Sequence, residues 1–498
     1  MSLFSLMKIT NMNFRYKIFF PIILISLASL LIGACQNKQS KPNIVFILAD
    51  DLGWSDLPVY GNQFNEAPNI DKLASEGMQF TNAYATCPVC SPSRASIMSG
   101  QYPARLGIND FITGHWRPNE EVIVPVNRTQ YLPGEITTMG EVLKGAGYAT
   151  GYFGKWHLGF GEEHHPSTQG FDQANVGNNY YNAKFSPPRA EGSTKRLSEI
   201  LTDFGEEFIE ENKEKPFFLF LSHYDVHVQL DADMDLIDKY KKKQAVDGYP
   251  SNAVYAAMIE HLDKSVGRIQ TKLDELDLAE NTILIFFSDN GGLSMRFDQI
   301  PLLVKSKQHL YKNDSLLFIA TSNSPLRNEK GTVYEGGIRV PLIVKWPNEI
   351  IPGTASNAVV TGVDFFPTLA KLAGATMPAN QTVDGQPIDF HLDYKDAVEQ
   401  RSVFWHYPVY HHDEPKSAIR QGDWKLVQNL VNNRYELYNL SLDIGEQNDL
   451  SALEPEKVKL LADELSKWQD GIKAMMPVPN PDFNIETRYK WGKHPDRK

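Results

Sequence analysis

The chain has few cysteines, no excess of positive charge, and neither internal repeats nor low-complexity tracts. Three cysteines are too few for a disulfide framework. The formal net charge of −12 argues against a nucleic-acid partner, because phosphates would be repelled on average. With 42% hydrophobic and 22% charged residues the composition is that of a globular protein, and 498 residues are too many for one small core. We therefore expect one large domain and a smaller one.

A long apolar run lies near the N-terminus. Three basic residues precede the run 18–32, which is short for a membrane span and typical of a secretory signal. The run ends in Ile32-Gly33-Ala34-Cys35, which resembles a bacterial lipobox with Cys35 as the acylated residue. We predict a lipoprotein signal peptide over 1–34 and a polar tether over 35–41, with several acyl chains as a stable anchor. The expected location is that of an exported, lipid-anchored bacterial membrane lipoprotein, facing the periplasm or the cell surface; a signal peptide cleaved without lipidation is the alternative.

Beyond the tether, apolar runs typical of buried strands alternate with helical patterns. This alternation is the mark of βαβ units, in which helices cover a parallel sheet. We therefore predict an α/β fold, with a large mixed, mostly parallel sheet flanked by helices. The predicted strands are 43–48, 148–153, 216–221, 282–287 and 342–344, and the predicted helices are 69–76, 138–144 and 364–373.

The pattern changes near Ser402. Segments 418–427 and 434–440 favour paired strands, and an amphipathic helix is predicted near 455–475. We assign this region to a smaller C-terminal α+β subdomain. The predicted limits are 42–400 for the main domain and 401–498 for the subdomain.

Polar side chains recur at the carboxyl ends of the predicted strands, the edge at which open α/β sheets bind ligands. Asp50 and Asp51 follow the first strand, and Asp289 and Asn290 follow the strand 282–287. Carboxylate and amide oxygens suit Ca²⁺ or Mg²⁺ and suit zinc or copper poorly. Two adjacent aspartates alone would favour a turn, so their assignment to a metal site depends on the resemblance described below.

Lysine and histidine follow two further strands. Lys155 and His157 stand two residues apart after 148–153, so both can face one side of an extended loop. His223 and His227 follow the strand 216–221. Histidine suits proton transfer because its ordinary pKa lies near neutrality.

The most informative segment begins at Cys90, where a proline-containing turn runs into a helix-like pattern. A helix start collects unpaired backbone N–H groups and the positive end of the helix dipole, so it can hold an anion. Arg94 adds a guanidinium fork suited to a tetrahedral oxyanion. An isolated cysteine beside a turn needs no function, so the interpretation depends on the rest of the motif.

Three motifs together resemble the type I, formylglycine-dependent sulfatases of the alkaline-phosphatase-like superfamily. The segment from Cys90 to Gly100 is similar to the family pattern C-x-P-S-R-x-x-x-L-T-G, with Met98 and Ser99 in place of Leu and Thr. Gly154-Lys155-Trp156-His157-Leu158-Gly159 matches a second family motif, and the segment that begins at Lys330 is close to a third. The resemblance covers most of the chain from position 41 to about 450, and it implies the family's fold and a sulfuric ester hydrolase.

The resemblance also implies the reaction. A maturation enzyme would oxidise Cys90 to formylglycine (3-oxoalanine), whose hydrate carries two hydroxyls on one carbon. One hydroxyl attacks sulfur, and the second then loses its proton to re-form the carbonyl and expel sulfate. His157 is expected to take that proton, and His227, helped by Lys330, to protonate the leaving oxygen. The family usually has Pro-His where this chain has Val226-His227, so His223 is the competing candidate.

The remaining implied roles concern charge. The implied metal ligands are Asp50, Asp51, Cys90, Asp289 and Asn290. Ca²⁺ is favoured over Mg²⁺ because it tolerates irregular geometry. The side chains implied to offset charge on the sulfuryl oxygens, together with the metal, are Arg94, Lys155 and Lys330.

An exported sulfatase meets its substrate outside the cytoplasm. We therefore expect a bacterial polysaccharide sulfatase that removes O-sulfate from a sulfated carbohydrate, either algal, such as ulvan, carrageenan or fucoidan, or glycosaminoglycan. One alternative is a phosphonate monoester or phosphodiester hydrolase of the same superfamily. Another is a lipoprotein that binds sulfated glycans without turning them over.

Two groups of residues are candidates for the rim of the substrate pocket. Aromatic side chains stack on sugar faces, and the candidates are Trp116, Tyr180 and Tyr181. The long insert 294–326 is expected to border the pocket with Arg296, Lys305 and His309.

Overall fold

Nine strands form the central sheet of the protein, seen here in a computed structural model that describes residues 41–188, 195–390 and 401–496. The strands are β1 (Asn43–Ala49), β2 (Met78–Tyr84), β4 (Ala149–Gly154), β5 (Gln173–Asn178), β6 (Lys184–Ser186), β7 (Phe217–Ser222), β8 (Thr282–Ser288), β9 (Leu342–Lys345) and β10 (Thr354–Thr361). Their spatial order is β10-β2-β9-β8-β1-β7-β4-β5-β6, and the short strand β3 (Val122–Ile123) pairs with Val478–Pro479 outside this sheet. Within the nine-stranded sheet only the β2–β9, β8–β9 and β5–β6 pairs are antiparallel, so the predicted mixed, mostly parallel sheet is confirmed.

The central strands are apolar on both faces because helices cover both sides of the sheet. All seven residues of β1 are buried. Val45 and Ile47 belong to the core on one face, and Ile44 and Phe46 belong to the core on the other. The helices are Pro68–Ser75, Cys90–Ser99, Pro103–Leu106, Met139–Gly145, Leu197–Asn212, Met234–Lys241, Ala253–Glu275, Glu335–Ile338, Phe365–Leu372 and Pro455–Ile472.

A second, antiparallel sheet follows in the C-terminal region. Its strands, in spatial order, are β11 (Ser402–Tyr407), β12 (Lys416–Gln421), β13 (Trp424–Asn429) and β14 (Tyr435–Asn439). Ile419 and Leu426 of this sheet pack against Leu461 and Leu465 of the last helix. The predicted strand 418–427 is wrong as a single element: it is a hairpin that turns at Gly422, whose φ of 58° suits glycine.

A set of buried charges, here called the interface cluster, joins this smaller sheet to the helix Glu335–Ile338. The interface cluster consists of Tyr84, Glu335, Arg339, Arg420, Lys425 and Glu446, none more than 3% exposed. Lys425 Nζ lies 2.9 Å from Glu335 Oε1 and 2.8 Å from Glu446 Oε1. Arg339 Nε and the Tyr84 hydroxyl both donate to Glu335 Oε2, at 2.6 and 2.7 Å. Buried ion pairs and hydrogen bonds therefore hold this contact together.

The chain divides into two units, Met1–Lys41 and Pro42–Lys498, and both sheets lie in the second. The predicted signal peptide 1–34 and the lipidation site Cys35 lie outside the described residues. Within the part of the chain that the structure describes, no helix is long and apolar enough to cross a membrane.

Candidate active site

The carboxyl ends of four neighbouring strands bring the predicted polar residues together. Strand β1 lies between β7 and β8, and β4 is the neighbour of β7. Asp50 therefore meets Lys155, which follows β4, although the two are 105 residues apart. Asp51 and Asp289 meet in the same way, with the backbone N–H of Asp51 donating to Asp289 Oδ1 at 3.2 Å.

Cys90 begins the helix Cys90–Ser99 at the floor of this edge and is 2% exposed. Its Sγ lies 3.5 Å from Asp50 Oδ1 and 3.5 Å from Lys155 Nζ. Lys330 Nζ stands on the other side, 3.6 Å from Sγ. Burial raises the pKa of the Cys90 thiol to about 12, so the unmodified side chain is a protonated, weak nucleophile.

Arg94 is fixed on three sides one turn into the same helix. Its Nε donates to Asp289 Oδ2 at 2.8 Å, and its Nη1 donates to the Lys155 carbonyl and to Ser222 Oγ, at 2.8 and 2.6 Å. The buried Nη2 has no hydrogen-bond partner among the described residues and lies 3.6 Å from Asp50 Oδ1. One arm of the guanidinium is therefore left for an anionic ligand.

Six buried ionisable side chains, here called the catalytic cluster, form the floor of the site. They are Asp50, Asp51, Arg94, Lys155, Asp289 and Lys330. Lys155 Nζ donates to Asp50 Oδ2 at 2.5 Å, and Lys330 Nζ contacts both Asp51 oxygens at 2.6 and 2.7 Å. These cations hold the pKa of Asp50 and Asp51 below the ordinary range against the effect of burial.

The donor set of the cluster fits a hard divalent cation. Asp50, Asp51, Cys90 and His227 each offer a ligand atom within 4.8 Å of the others. Burial and the neighbouring Asp50 raise the pKa of Asp289 to about 7. Asn290 donates through Nδ2 to Asp51 Oδ1 at 2.8 Å, and its buried Oδ1 has no hydrogen-bond partner in the described chain. These oxygens are ligands typical of Ca²⁺ and Mg²⁺.

His157 has one nitrogen available for proton transfer. Its Nε2 lies 2.9 Å from the Ile112 carbonyl, which can only accept, so Nε2 carries the hydrogen and Nδ1 is the basic nitrogen. Nδ1 is buried and has no hydrogen-bond partner within the ranges that the structure describes. Burial holds the pKa of His157 well below its ordinary value, so the ring is neutral and can accept a proton. The backbone at His157 has a φ of 59°, in the left-handed region that few residues other than glycine adopt.

The structure separates the two candidate histidines that follow β7. His227 borders the cavity above Cys90, and its Nε2 lies 3.7 Å from Asp51 Oδ2. His223 is fully buried and pairs with Ser265 Oγ through Nε2 at 3.0 Å, on the helix side of the sheet. Only His227 is therefore placed to meet a substrate.

A cavity of about 460 Å³ opens above the catalytic cluster. Cys90, His157, His227 and Lys330 are on its lower wall, so the residues predicted from separate motifs share one site. Its remaining lining residues are Val89, Phe111, Gly114, His115, Trp116, Val228, Leu293, Arg296, Phe297, His411, His412, Trp491, Gly492 and His494.

Only some of the residues predicted for the rim of the substrate pocket line the cavity. Trp116 and Arg296 line the cavity, whereas Lys305 and His309 are not among its lining residues in the described chain. Tyr180 does not line it either, and its hydroxyl donates to the His227 carbonyl from behind. Tyr181 lies nearby and donates to Asp233 Oδ1 at 2.6 Å. These two tyrosines support the loop that carries His227.

Sequence reasoning did not find most of the upper wall. His115, His411, His412, Phe297 and Trp491 come from segments that carry no family motif. The adjacent pair His411-His412 was the signal available, but nothing in the sequence links it to Cys90. The antiparallel β11–β12 pairing brings this pair back to the cavity.

A floor of buried cations and carboxylates below two histidines that can move protons is suited to hydrolysing the ester of a tetrahedral oxyanion, and the fold and site define a hydrolase of that class. The chain belongs to the sulfatase family, which it matches over residues 42–375. Residues 328–470 match the C-terminal region of N-sulphoglucosamine sulphohydrolase. The protein is a sulfuric ester hydrolase.

Individual relatives extend over nearly the whole chain. A sulfatase of Formosa agariphila is 34% identical, with 97% of each chain covered. The N-acetylgalactosamine-6-O-sulfatase of Bacteroides thetaiotaomicron is 30% identical over 88% of this chain and 94% of its own. The crystal structure of Ps i-CgsB in complex with k-i-k-neocarrahexaose superposes with a TM-score of 0.71 at 26% identity, covering 86% of this chain and 93% of that one.

Proposed function

We propose that this sulfatase removes O-sulfate groups from a sulfated carbohydrate, with Cys90 converted to formylglycine. The observation that carries the proposal is the environment of Cys90, whose Sγ lies within 3.6 Å of Asp50, Lys155 and Lys330 at the start of a helix. An unmodified thiol has little use there, because burial keeps it protonated. A hydrated aldehyde on the same carbon supplies one hydroxyl to attack sulfur and a second through which sulfate is released.

The surrounding side chains perform the proton transfers and stabilise charge. His157 accepts a proton at Nδ1, the nitrogen left free by the Ile112 carbonyl. His227 Nδ1 donates to the Val228 carbonyl, so Nε2 delivers a proton to the leaving oxygen only from the imidazolium form, which Asp51 Oδ2, 3.7 Å from Nε2, favours. Lys155 and Lys330, both buried, offset the negative charge that develops on the sulfuryl oxygens.

A calcium ion completes this site. Asp50, Asp51, Asp289 and Asn290 would hold it, together with the group at position 90, and it would supply positive charge beside the sulfate oxygens. Ca²⁺ is preferred over Mg²⁺ because it tolerates an irregular ligand set of carboxylates and an amide.

A carbohydrate substrate is favoured by the cavity and by the relatives. Trp116, Phe297 and Trp491 give the cavity apolar faces of the kind on which sugar rings stack. The relative at 30% identity is named N-acetylgalactosamine-6-O-sulfatase. The solved structure at 26% identity is a complex with k-i-k-neocarrahexaose. The proposed substrate is accordingly an algal polysaccharide or a glycosaminoglycan, or an oligosaccharide of either.

Export agrees with such a substrate. We propose that the signal segment 1–34 directs the chain out of the cytoplasm, that acyl chains on Cys35 anchor it in a bacterial membrane, and that a maturation enzyme modifies Cys90. Labelling with a radioactive fatty acid, in wild type and Cys35→Ala, tests the anchor separately from the chemistry.

The test of the mechanism combines mass spectrometry with activity. A peptide containing Cys90 should be lighter by about 18 Da in protein co-expressed with a maturation enzyme. The wild type should release sulfate from an aryl sulfate, and Cys90→Ala should not. Chelation with EDTA should abolish activity, and Ca²⁺ should restore it better than Mg²⁺.

Two other experimental outcomes would favour the alternative functions, a hydrolase of phosphorus esters or a glycan-binding protein. Faster hydrolysis of a phosphonate monoester or phosphodiester than of any sulfate ester would favour a phosphorus substrate. An unmodified thiol in protein that binds sulfated glycan without turnover would overturn the proposal in favour of a binding protein.

A further inference from the structure

The upper wall of the cavity has a charge pattern that removal of one sulfate does not require. We propose that the three histidines His115, His411 and His412 form a binding subsite for a second anionic group on the saccharide, a carboxylate or a further sulfate ester. This inference rests on the proposed function and adds the chemical class of the substrate: a sugar or disaccharide unit that carries two negative groups.

The first observation is the sign of the charges. The protein as a whole has a formal net charge of −12. Among the 18 cavity-lining residues, all in the described part of the chain, there is no aspartate or glutamate, while Arg296, Lys330 and six histidines are present. Acidic side chains are thus kept off the surface that a ligand touches, which favours an anion over a neutral sugar.

The second observation is that each of the three histidines is held through Nδ1. His115 Nδ1 lies 3.0 Å from Asp110 Oδ1, and His412 Nδ1 lies 3.0 Å from Glu329 Oε1. The Tyr407 hydroxyl lies 3.2 Å from His411 Nδ1. None of these supporting groups lines the cavity in the described residues.

The consequence is that Nε2 of each ring is left for the ligand. No hydrogen-bond partner of these Nε2 atoms occurs within residues 41–188, 195–390 and 401–496. The carboxylates of Asp110 and Glu329 lie at Nδ1 of His115 and His412, where each accepts the ring hydrogen. Burial beside these two rings lowers the pKa of His411 well below its ordinary value, so His411 joins the surface as a neutral ring. In each ring, therefore, a supporting group holds Nδ1 in place and Nε2 is left to face a ligand.

The third observation is that the rings are packed into one rigid surface. The His115 and His411 rings are 3.8 Å apart between centroids, and the His411 and His412 rings are 4.5 Å apart. Phe297 packs on Trp491 at 4.4 Å, and Arg117 stacks on the indole at 4.3 Å. A prearranged surface loses little entropy when it binds a saccharide.

The placement of this surface fixes which group it meets. Cys90, Lys330 and His411 line the same cavity, and a side chain at Gly331, next to Lys330, would come within 2.2 Å of His411 Nδ1. The sulfate that reacts at Cys90 and the second anion therefore bind in one cavity, of a size for one or two sugar units.

The experiment compares matched saccharides. The substrates are one monosulfated disaccharide, its counterpart with a uronic acid carboxylate, and its counterpart with a second sulfate. We expect the wild type to have a kcat/KM at least tenfold higher for one or both doubly anionic forms, and the form preferred identifies the source of the second charge. Equal values for all three substrates would overturn the proposal.

Variants assign the preference to the wall. In His115→Gln and His412→Gln, the ratio of kcat/KM for the doubly anionic to the singly anionic substrate should fall at least tenfold, mainly through KM. Asp110→Asn should lower the ratio less, because His115 keeps its place and loses only its charged support. His165→Gln changes a histidine outside the cavity and serves as the control. An unchanged ratio in both wall variants would overturn the assignment.

A binding measurement separates this inference from the proposed function. Calorimetric titration of the Cys90→Ala protein with the doubly anionic, unreacted saccharide needs no turnover. Tight binding that His412→Gln weakens at least tenfold supports the subsite even if the wild type hydrolyses no sulfate ester. Binding that is equal in the two proteins contradicts it whether or not hydrolysis occurs.

Discussion

The catalytic cluster and the interface cluster are made of nearly the same side chains. Both bury carboxylates against three cations, and no member of either is more than 8% exposed. In the interface cluster, Glu335 uses both carboxylate oxygens, and its N–H donates to Glu446 at 2.7 Å. Glu446 Oε1 makes no hydrogen bond within the described residues, but it is ion-paired with Lys425 Nζ at 2.8 Å. Around the catalytic cluster, Arg94 Nη2, Asn290 Oδ1 and His157 Nδ1 are buried without hydrogen-bond partners in the described residues.

The difference is one of unused hydrogen-bonding capacity. A buried charge whose partners are all present holds two parts of a protein together, and substituting one member leaves the others uncompensated. A buried polar atom without a partner is costly unless a ligand supplies one. Composition alone would not separate the two clusters, whereas the unpartnered atoms do.

The largest effect is expected when a cation of the catalytic cluster is removed. Lys155→Met should lower kcat/KM for an aryl sulfate at least a thousandfold, about 4 kcal/mol of transition-state stabilisation. The unfolding free energy should fall less than in the interface variant below, because Arg94 Nη2 remains 3.6 Å from Asp50 Oδ1. Steady-state kinetics and urea unfolding measure both quantities, and activity within tenfold of wild type would break the comparison.

The second effect concerns the interface cluster, where we expect stability to fall and activity to be kept. Lys425→Met leaves Glu335 and Glu446 buried side by side without their shared cation. We expect the free energy of unfolding to fall by about 3 kcal/mol, while kcat of the folded enzyme stays near that of wild type. Urea titration followed by circular dichroism tests the first value. A loss of kcat without loss of stability would show that the interface cluster serves catalysis.

The third effect is a pH dependence. Burial and the neighbouring Glu335 raise the pKa of Glu446 to about 7 from an ordinary 4.5, so the folded state binds a proton more tightly than the unfolded state. The stability that this proton contributes should be lost as pH rises from about 4.5 through 7, with a slope of up to about 1.4 kcal/mol per pH unit. Glu446→Gln should flatten this part of the stability curve, and parallel curves would contradict the assignment.

The smallest effect is expected for an ion pair on the protein surface. Lys459 and Asp463 form an exposed pair at 3.3 Å, with side chains 74% and 70% exposed. Lys459→Met should change the unfolding free energy by about 0.5 kcal/mol or less, because water screens the pair. A change as large as that of Lys425→Met would mean that burial does not govern these energies.

The sequence was most informative where a local pattern decides the structure. Strands β1, β4, β7 and β8 lie within two residues of their predicted limits, because continuous apolar runs are typical of buried parallel strands. The predicted helix 455–475 is confirmed as Pro455–Ile472. The hairpin at Gly422 was missed although the segment Arg420-Gln421-Gly422-Asp423, which contains a glycine typical of turns, divides its two strands.

What the sequence did not reveal depends on long-range pairing. Strands β2 and β10 were not predicted, and they pair with each other across about 275 residues. Lys155 and Lys330 could be assigned to the site because each lies in a segment that resembles a family motif, so their distance in the folded chain did not have to be known. His115 and His412 could not, since only the folded chain brings them to one wall.

The sequence separation between Cys90 and its partners also determines the order in which they are synthesised. Lys330 is 240 residues further along the chain than Cys90, so on a ribosome it is made later by on the order of tens of seconds. Strand β1 lacks its partner β8 until residues 282–288 are made, and the floor that leaves Cys90 only 2% exposed stays incomplete until Lys330 follows. The modification of Cys90 proposed above would therefore meet an accessible thiol during this interval of synthesis, and folding would end the interval.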